Sequence, residues 1–253
     1  NVADIFDIVA TGAYTEVETW GQGDVTDLLL DAKEFSLVGG VAMPTHFLTT
    51  RISATVDEAG QFSISNISKV VAFLRACDGN TIEMWQKSGR PLHISNGGTE
   101  VTLPSVSETR SAKSLPTVMK LVAASTDDNW KSWAGESLNC YGRLENTSDL
   151  LPVSQMQRVV GKDRVYRTVF NTDDQSLSIS GGEKTDAQMS VTLDLLDVDG
   201  PPTEVSNTYG PWLPQLLNVM PAGPCELYTG SGSVLALNHV EKECLLVVIP
   251  QGE

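Results

Sequence analysis

The chain has 253 residues, 41% of them hydrophobic and 19% charged, enough to bury one large core or two modest ones. Its 17 Lys+Arg stand against 32 Asp+Glu, a formal net charge of −15. That balance disfavours general binding to nucleic acid or anionic membranes and confines any contact with a polyanion to a local patch.

Taken in chain order, the first periodic window is Val2, Ile5, Phe6 and Val9, spaced i, i+3, i+4, i+7 as one face of a helix. The surrounding stretch, NVADIFDIVATGAY, has no basic n-region and carries two aspartates, so it does not read as a signal peptide. Strand-like runs occupy 47–56, 81–86, 91–95, 99–103, 138–144 and 165–171. Between the first two lies a second helical window, Ile67, Val70, Val71 and Leu74, with Ser65 or Asn66 as N-cap and Gly79 closing the end. Residues 123–137 (AASTDDNWKSWAGES) lack periodicity and read as a linker.

The third helical window, marked by Val153, Met156 and Val160, opens with Pro152 at a favourable first position. Alternation in Ser176–Ser180 and Val191–Leu195 then predicts two strands. A fourth, short helical window spans Pro211 to Val219, with Leu213, Leu216 and Leu217 on its apolar side. The segment from Leu227 to Ile249 reads as a three-strand meander with turns at GSGS (230–233) and near EKE. A run of strands follows each helical window, so the linker divides two halves of near-equal length, each a pair of helix-plus-meander units. The longest apolar run, LLVVI at 245–249, falls far short of the roughly 18 residues a membrane span needs.

Signatures of catalysis are sparse. His46, His93 and His239 lie in separate strands or loops without a ligand-spaced partner, and Cys77, Cys140, Cys225 and Cys244 contain no CxxC. No metal or cofactor is therefore expected, and free thiols in a reducing compartment are. There is no GxSxG, P-loop or HExxH. Acidic pairs such as Asp127–Asp128 and Asp173–Asp174 sit in turns, which leaves a carboxylate hydrolase as a remote alternative.

Positive charge, by contrast, is concentrated in QMQRVVGKDRVYR (155–167), which holds Arg158, Lys162, Arg164 and Arg167 against Asp163 alone. On a helix, Gln155, Arg158 and Lys162 share one face and Val153, Met156 and Val160 the opposite one. Lys69 stands opposite the apolar stripe of the second window and Arg75 flanks it. Helices with apolar backs and basic fronts on an acidic body suit phosphate contacts without base readout.

Several stretches resemble the PCNA-type DNA sliding clamps, including their archaeal and viral relatives. FSISNISKVVAFLRACDGNTIEMW looks like a clamp strand leading into its second helix, and TVMKLV (117–122) like the strand closing a first domain. SLSISGGEKTDAQMSVTL resembles a second-domain strand pair, and YGPWLPQLLNVMPAGPCELYTGSGSVLALNHVEKECLLVVIP resembles a clamp C-terminus. The resemblance implies an α+β fold with two similar domains, 1–122 and 138–253, joined by a connector at 123–137. Each domain would hold two βαβββ-like units, helices on the inner face and sheets outside.

It further implies a non-enzymatic processivity factor that closes as a homotrimer around double-stranded DNA without sequence preference. DNA polymerase, a clamp loader and other clients would dock by short hydrophobic motifs, in the cytoplasm, nucleoid or nucleus, possibly for a virus. The DNA-facing residues would be Lys69, Arg75, Arg158, Lys162 and Arg164, with Arg167 less suited because it lies in the next strand. Val41, Met43, His46, Ala123, Trp130, Trp133, Pro250 and Gln251 would line the peptide pocket. Leu115, Val118, Lys120 and Val122 on one side, and Glu183, Lys184 and Met189 on the other, would form the subunit interface.

Two features depart from that pattern. The first helical window carries Asp4 and Asp7 opposite its apolar stripe, and the fourth has Pro214 and no basic residue. Residues 13–40 match no clamp segment. A structural or assembly β-protein, such as a virion component, is the other reading of a strand-rich, motif-poor chain.

Overall fold

The computed structural model describes residues 27–65, 67–77, 81–87, 90–104, 113, 138–161, 164–182, 187–202 and 204–251. The first helical window and the linker at 123–137 lie outside the described residues. Those that are described cluster into two compact units. One takes its residues from Asn1–Met43 and Phe47–Thr117, the other from Pro44–His46 and Val118–Glu253.

The first unit opens with an antiparallel meander, β1 (Asp27–Lys33), β2 (Ser36–Ala42) and β3 (His46–Ser53). β4 (Gly60–Ser65) pairs antiparallel with β1, giving the order β3-β2-β1-β4. Sequence periodicity missed β1 and β2, because DLLLDAK and SLVGGVA are runs of apolar and small residues rather than alternations. β2 is buried from Leu37 to Ala42, on both faces, and a strand with no wet face needs no alternation. α1 (Ile67–Ala76) then buries Val70 and Leu74 and leaves Lys69 and Arg75 exposed, as the predicted stripe requires. A second meander follows: β5 (Glu83–Gln86), β6 (Leu92–Asn96) and β7 (Thr99–Leu103). Gly97 and Gly98 close its tight turn, with φ of 53° and 101°. Both are in the left-handed region that two-residue hairpins demand and glycine supplies.

The second unit repeats one topology twice. β8 (Cys140–Leu144) leads through a 3-10 turn into α2 (Leu151–Ser154) and α3 (Met156–Val160), then into the meander β9 (Tyr166–Asn171), β10 (Ser176–Gly182) and β11 (Gln188–Asp194). After β12 (Leu196–Asp199), β13 (Glu204–Tyr209) leads through α4 (Leu213–Leu217) into β14 (Cys225–Thr229), β15 (Leu235–His239) and β16 (Cys244–Val248). The leading strands are exchanged. β13 pairs with β9, giving β11-β10-β9-β13, and β8 pairs with β14, giving β12-β8-β14-β15-β16. Neither half can complete its sheet alone, which ties the halves into one core.

Side chains enforce that exchange. Asn207 on β13 is buried, and its Nδ2 donates to Gly230 O at 2.8 Å and Thr229 Oγ1 at 3.3 Å. Its Oδ1 accepts from Gly232 N at 2.8 Å. Tyr209 Oη adds a bond to Ser233 O at 3.3 Å. GSGS is thus a hairpin turn, as predicted, and a strand of the other sheet holds it. At the opposite crossing, Asn146 Oδ1 accepts from Ser148 N and Gly223 N, while Thr147 donates its hydroxyl to Pro221 O.

The predicted third helix is broken. α2 ends at Ser154, Gln155 is a turn residue, and α3 runs only to Val160 before Gly161 at φ 94°. The apolar stripe nevertheless holds, since Val153, Met156 and Val160 are all buried. α3 packs on β10 and β11, and α4 on α2 and β16. A Cβ on Gly181 would lie 2.6 Å from Tyr166 Cε1, so the buried Tyr166 ring packs against β10 only because this residue has no side chain.

Candidate nucleic-acid interface

The helices carry the charge pattern that matters. None of the chain's 32 carboxylates lies in α1, α2, α3 or α4, nor at the junction Gln155. Lys69 and Arg75 of α1 and Arg158 of α3 are all exposed. The rest of the exposed surface of α2 and α3 is neutral, including Leu151 and Val159. Among the described residues the α-helices are therefore neutral or basic, and the carboxylates reside on strands, 3-10 turns and loops. Gln157 bridges the helical layer of the second unit. Its Nε2 donates to Pro211 O at 2.5 Å, and its Oε1 accepts from Gln215 Nε2 at 2.9 Å.

Other expected DNA-facing positions are distributed differently. Arg164 is half-buried beyond the end of α3, and Lys162 lies outside the described residues. Arg167 points away from the helices. Its strand neighbours Tyr166 and Thr168 are buried toward them, whereas Arg167 is exposed and donates from Nε to Ser206 Oγ at 2.7 Å. The sequence cluster at 155–167 is thus split between two faces by strand alternation.

Residues expected at a peptide pocket are also partly visible. Val41, Met43 and His46 are 0%, 2% and 0% exposed, so a peptide reaching them would have to displace what covers them. Pro250 is half-buried, and Gln251 is exposed with its backbone N–H donating to Thr208 O at 2.9 Å, which lays the tail along β13. Ala123, Trp130 and Trp133 lie outside the described residues. So do the interface candidates Leu115, Val118, Lys120, Val122, Glu183 and Lys184. Met189 is half-buried on β11, the last strand of its sheet among the described residues.

The histidines serve packing and hydrogen bonding. His239 is buried, with Nδ1 accepting from Lys242 N (3.3 Å), so its Nε2–H donates to Ala222 O (3.1 Å). His46 Nδ1 lies 3.0 Å from Thr45 Oγ1. His93 Nδ1 lies 2.6 Å from Glu100 Oε1. Among the described residues no cluster of His, Cys, Asp or Glu could hold a metal ion, and no helix is long and apolar enough to cross a membrane. Burial pushes the thiols of Cys140 and Cys244 up to about 11 and about 12, and raises Cys225 as well. These cysteines are inert core residues rather than nucleophiles.

Sequence reasoning located the basic residues but missed the more general signal, the exclusion of carboxylates from every described α-helix. Counting acids by helix brings it out for these helices alone, since the first helical window of the sequence carries Asp4 and Asp7. It also missed the pairing of Trp85 with His93, which depends on strand register.

No protein-family model matches the sequence, and neither does any curated protein. Solved structures do match. A DNA polymerase III β chain from Streptococcus pneumoniae superposes with a TM-score of 0.72 at 8% identity, over 99% of this chain and 63% of that one. The β subunit from Thermotoga maritima gives 0.71 at 12%, over 100% and 63%. The Helicobacter pylori β clamp bound to a DNA ligase peptide gives 0.69 at 10%, over 100% and 64%. The chain thus spans about three-fifths of the length of these clamps. These structures are bacterial β clamps, and at such identities the likeness rests on architecture alone. The fold is that of the DNA polymerase sliding clamps.

Proposed function

We propose that the chain is a ring-forming subunit of a sliding clamp, a non-enzymatic processivity factor that encircles duplex DNA and tethers a polymerase to its template. The observation that carries this reading is the absence of carboxylates from every described α-helix, in a clamp fold with a net charge of −15. A surface that slides along phosphates needs weak, sequence-independent attraction and no fixed negative charge, while an acidic exterior turns DNA away from every other face. Lys69, Arg75 and Arg158 supply the attraction, with Lys162 and Arg164 as further candidates.

The finer points belong to the same proposal. Two units per chain suit a ring of three copies, closed head to tail with the β11 edge near Met189 on one side and residues 115–122 on the other. Clients such as polymerase and loader would bind a hydrophobic peptide site formed by Val41, Met43, His46, the connector with Ala123, Trp130 and Trp133, and the tail at Pro250–Gln251. Such a protein works where the replicating DNA is, in the cytoplasm or nucleoid of a cell, or on viral DNA within a host.

Topology provides the test. Once loaded, the protein should stay on nicked circular DNA through a high-salt wash and run off when the circle is cut once. Equal retention on circular and linear DNA would show simple adsorption and sink the proposal.

A further inference from the structure

The sheet β5-β6-β7 has one face on the core, through Leu92, Ile94 and Leu103, and one face outward. On the outward face Trp85 of β5 is 41% exposed, although indole is the largest apolar side chain available to bury. Its register partner is His93, and the two rings stack at 5.3 Å with an interplanar angle of 6°. His93 is in turn held by Glu100, whose Oε1 lies 2.6 Å from Nδ1, and Thr102 donates to the same carboxylate at 3.4 Å. The indole is therefore backed by an imidazole that is itself braced. β5 ends its sheet among the described residues, so the indole face away from His93 is the one left to solvent.

Charge around the indole is divided: Glu83 and Glu100 lie on one side of the Trp85–His93 row, and exposed Lys87 follows two residues after Trp85 on the other. Glu83 sits two residues before Trp85 on the same face, and in register it faces Ser95, which faces Glu100. Glu83 is exposed and makes no hydrogen bond or ion pair among the described residues. A flat π surface beside an exposed carboxylate complements one side chain above others. A guanidinium stacks its plane on the indole and still presents an N–H edge to the carboxylate. An ammonium is a point charge and strongly hydrated, and it cannot make both contacts with the same economy.

We propose that Trp85, backed by His93 and flanked by Glu83, is a docking site for an arginine of a basic protein segment. The site is independent of DNA binding, since it uses the outward face of a sheet and not the helices. The net charge of −15 steers such a segment toward the molecule, and the Trp85–Glu83 pair decides where it settles.

The test uses a labelled hexa-arginine peptide, with hexa-lysine and hexa-citrulline as controls, titrated into the full chain and followed by anisotropy. Hexa-arginine should bind more tightly than hexa-lysine, and hexa-citrulline should bind least. Trp85→Ala should weaken hexa-arginine by about tenfold, as loss of an aromatic anchor does. Glu83→Gln, whose side chain is exposed and whose folding is secure, should weaken it by about threefold. Asp194→Asn, the same loss of charge on the second unit, should change affinity by less than about 1.5-fold. Equal affinities of wild type and Glu83→Gln, or of hexa-arginine and hexa-lysine, would overturn the proposal even if Trp85→Ala failed to fold. So would an Asp194→Asn effect as large as that of Glu83→Gln, because attraction would then be global.

Discussion

Replacing Asn207 by leucine should cut the link between the two exchanged halves of the second unit. The side chain is buried and makes three hydrogen bonds, to Gly230 O, Thr229 Oγ1 and Gly232 N. Leucine has the same number and branching of side-chain heavy atoms, so the loss is polar and not a cavity. Gly230 O keeps the bond it accepts from Ser233 N at 3.1 Å, so losing Asn207 there costs about 0.5–1.5 kcal/mol, and exposed Gly232 can turn its N–H to water at about 0.5–1 kcal/mol. The 3.3 Å contact to Thr229 adds little, so the expected loss is roughly 1–2.5 kcal/mol. Urea unfolding monitored by circular dichroism, together with hydrogen exchange at the β14–β15 turn, measures it. Asn207→Asp supplies a signed control. A carboxylate facing Gly230 O is repelled when ionised, so its folded-state pKa lies above the unfolded value. The deficit of that variant should be full at neutral pH and shrink as pH falls through the folded pKa, when the protonated acid can donate again. A loss below about 0.5 kcal/mol for leucine, or an aspartate deficit that grows in acid, would refute this account of the crossing.

Four further outcomes follow from the same structure. Gly181→Ala would place a methyl against the buried ring of Tyr166 and should cost about 1–3 kcal/mol, visible as a lower thermal midpoint. In native protein at pH 8, iodoacetamide should modify half-buried Cys77 well before Cys140, Cys225 and Cys244, and mass spectrometry should find all four modified in urea. Burial raises Tyr166 to about 12 and raises Tyr209 further. Their stabilising effect is complete below the unfolded-state pKa near 10 and drains away above it, so unfolding should set in between about pH 10 and 12. Lys69→Glu with Arg158→Glu should leave the fold intact, since both side chains are exposed, while flattening the salt dependence of DNA binding by about one unit of slope per lost contact.

Much of this architecture could be read from the sequence wherever a face is wet and its opposite dry. Val70 and Leu74 against Lys69, or Val153, Met156 and Val160 against Arg158, announce both the helix and its orientation. The meander after Leu227 was legible for the same reason, with its turns marked by Gly232 and by Glu243 at positive φ. Legibility failed where both faces are buried. β2 carries no alternation, and β13 was passed over although its buried Val205, Asn207 and Tyr209 alternate with outward residues, because a buried Asn reads as loop. The break at Gln155 had no residue signal either. The resemblance to clamps was sound at the level of fold, and the structural likeness to bacterial β clamps bears on that fold without reaching the PCNA subtype. For the candidate site, the sequence located the basic residues without showing which share a face. Arg167 and Arg158 are neighbours in sequence and face opposite ways, because a strand separates side chains that a helix would group.

The central claim is processivity, and primer extension on a long single-primed circular template tests it most directly. The cognate polymerase and loader are supplied with a trap that captures any polymerase that dissociates, so each product reports a single binding event. With this protein present, products should shift from short pieces to lengths approaching the full circle, and the Lys69→Glu, Arg158→Glu double variant should shorten them again. Product lengths unchanged by the protein would contradict the account.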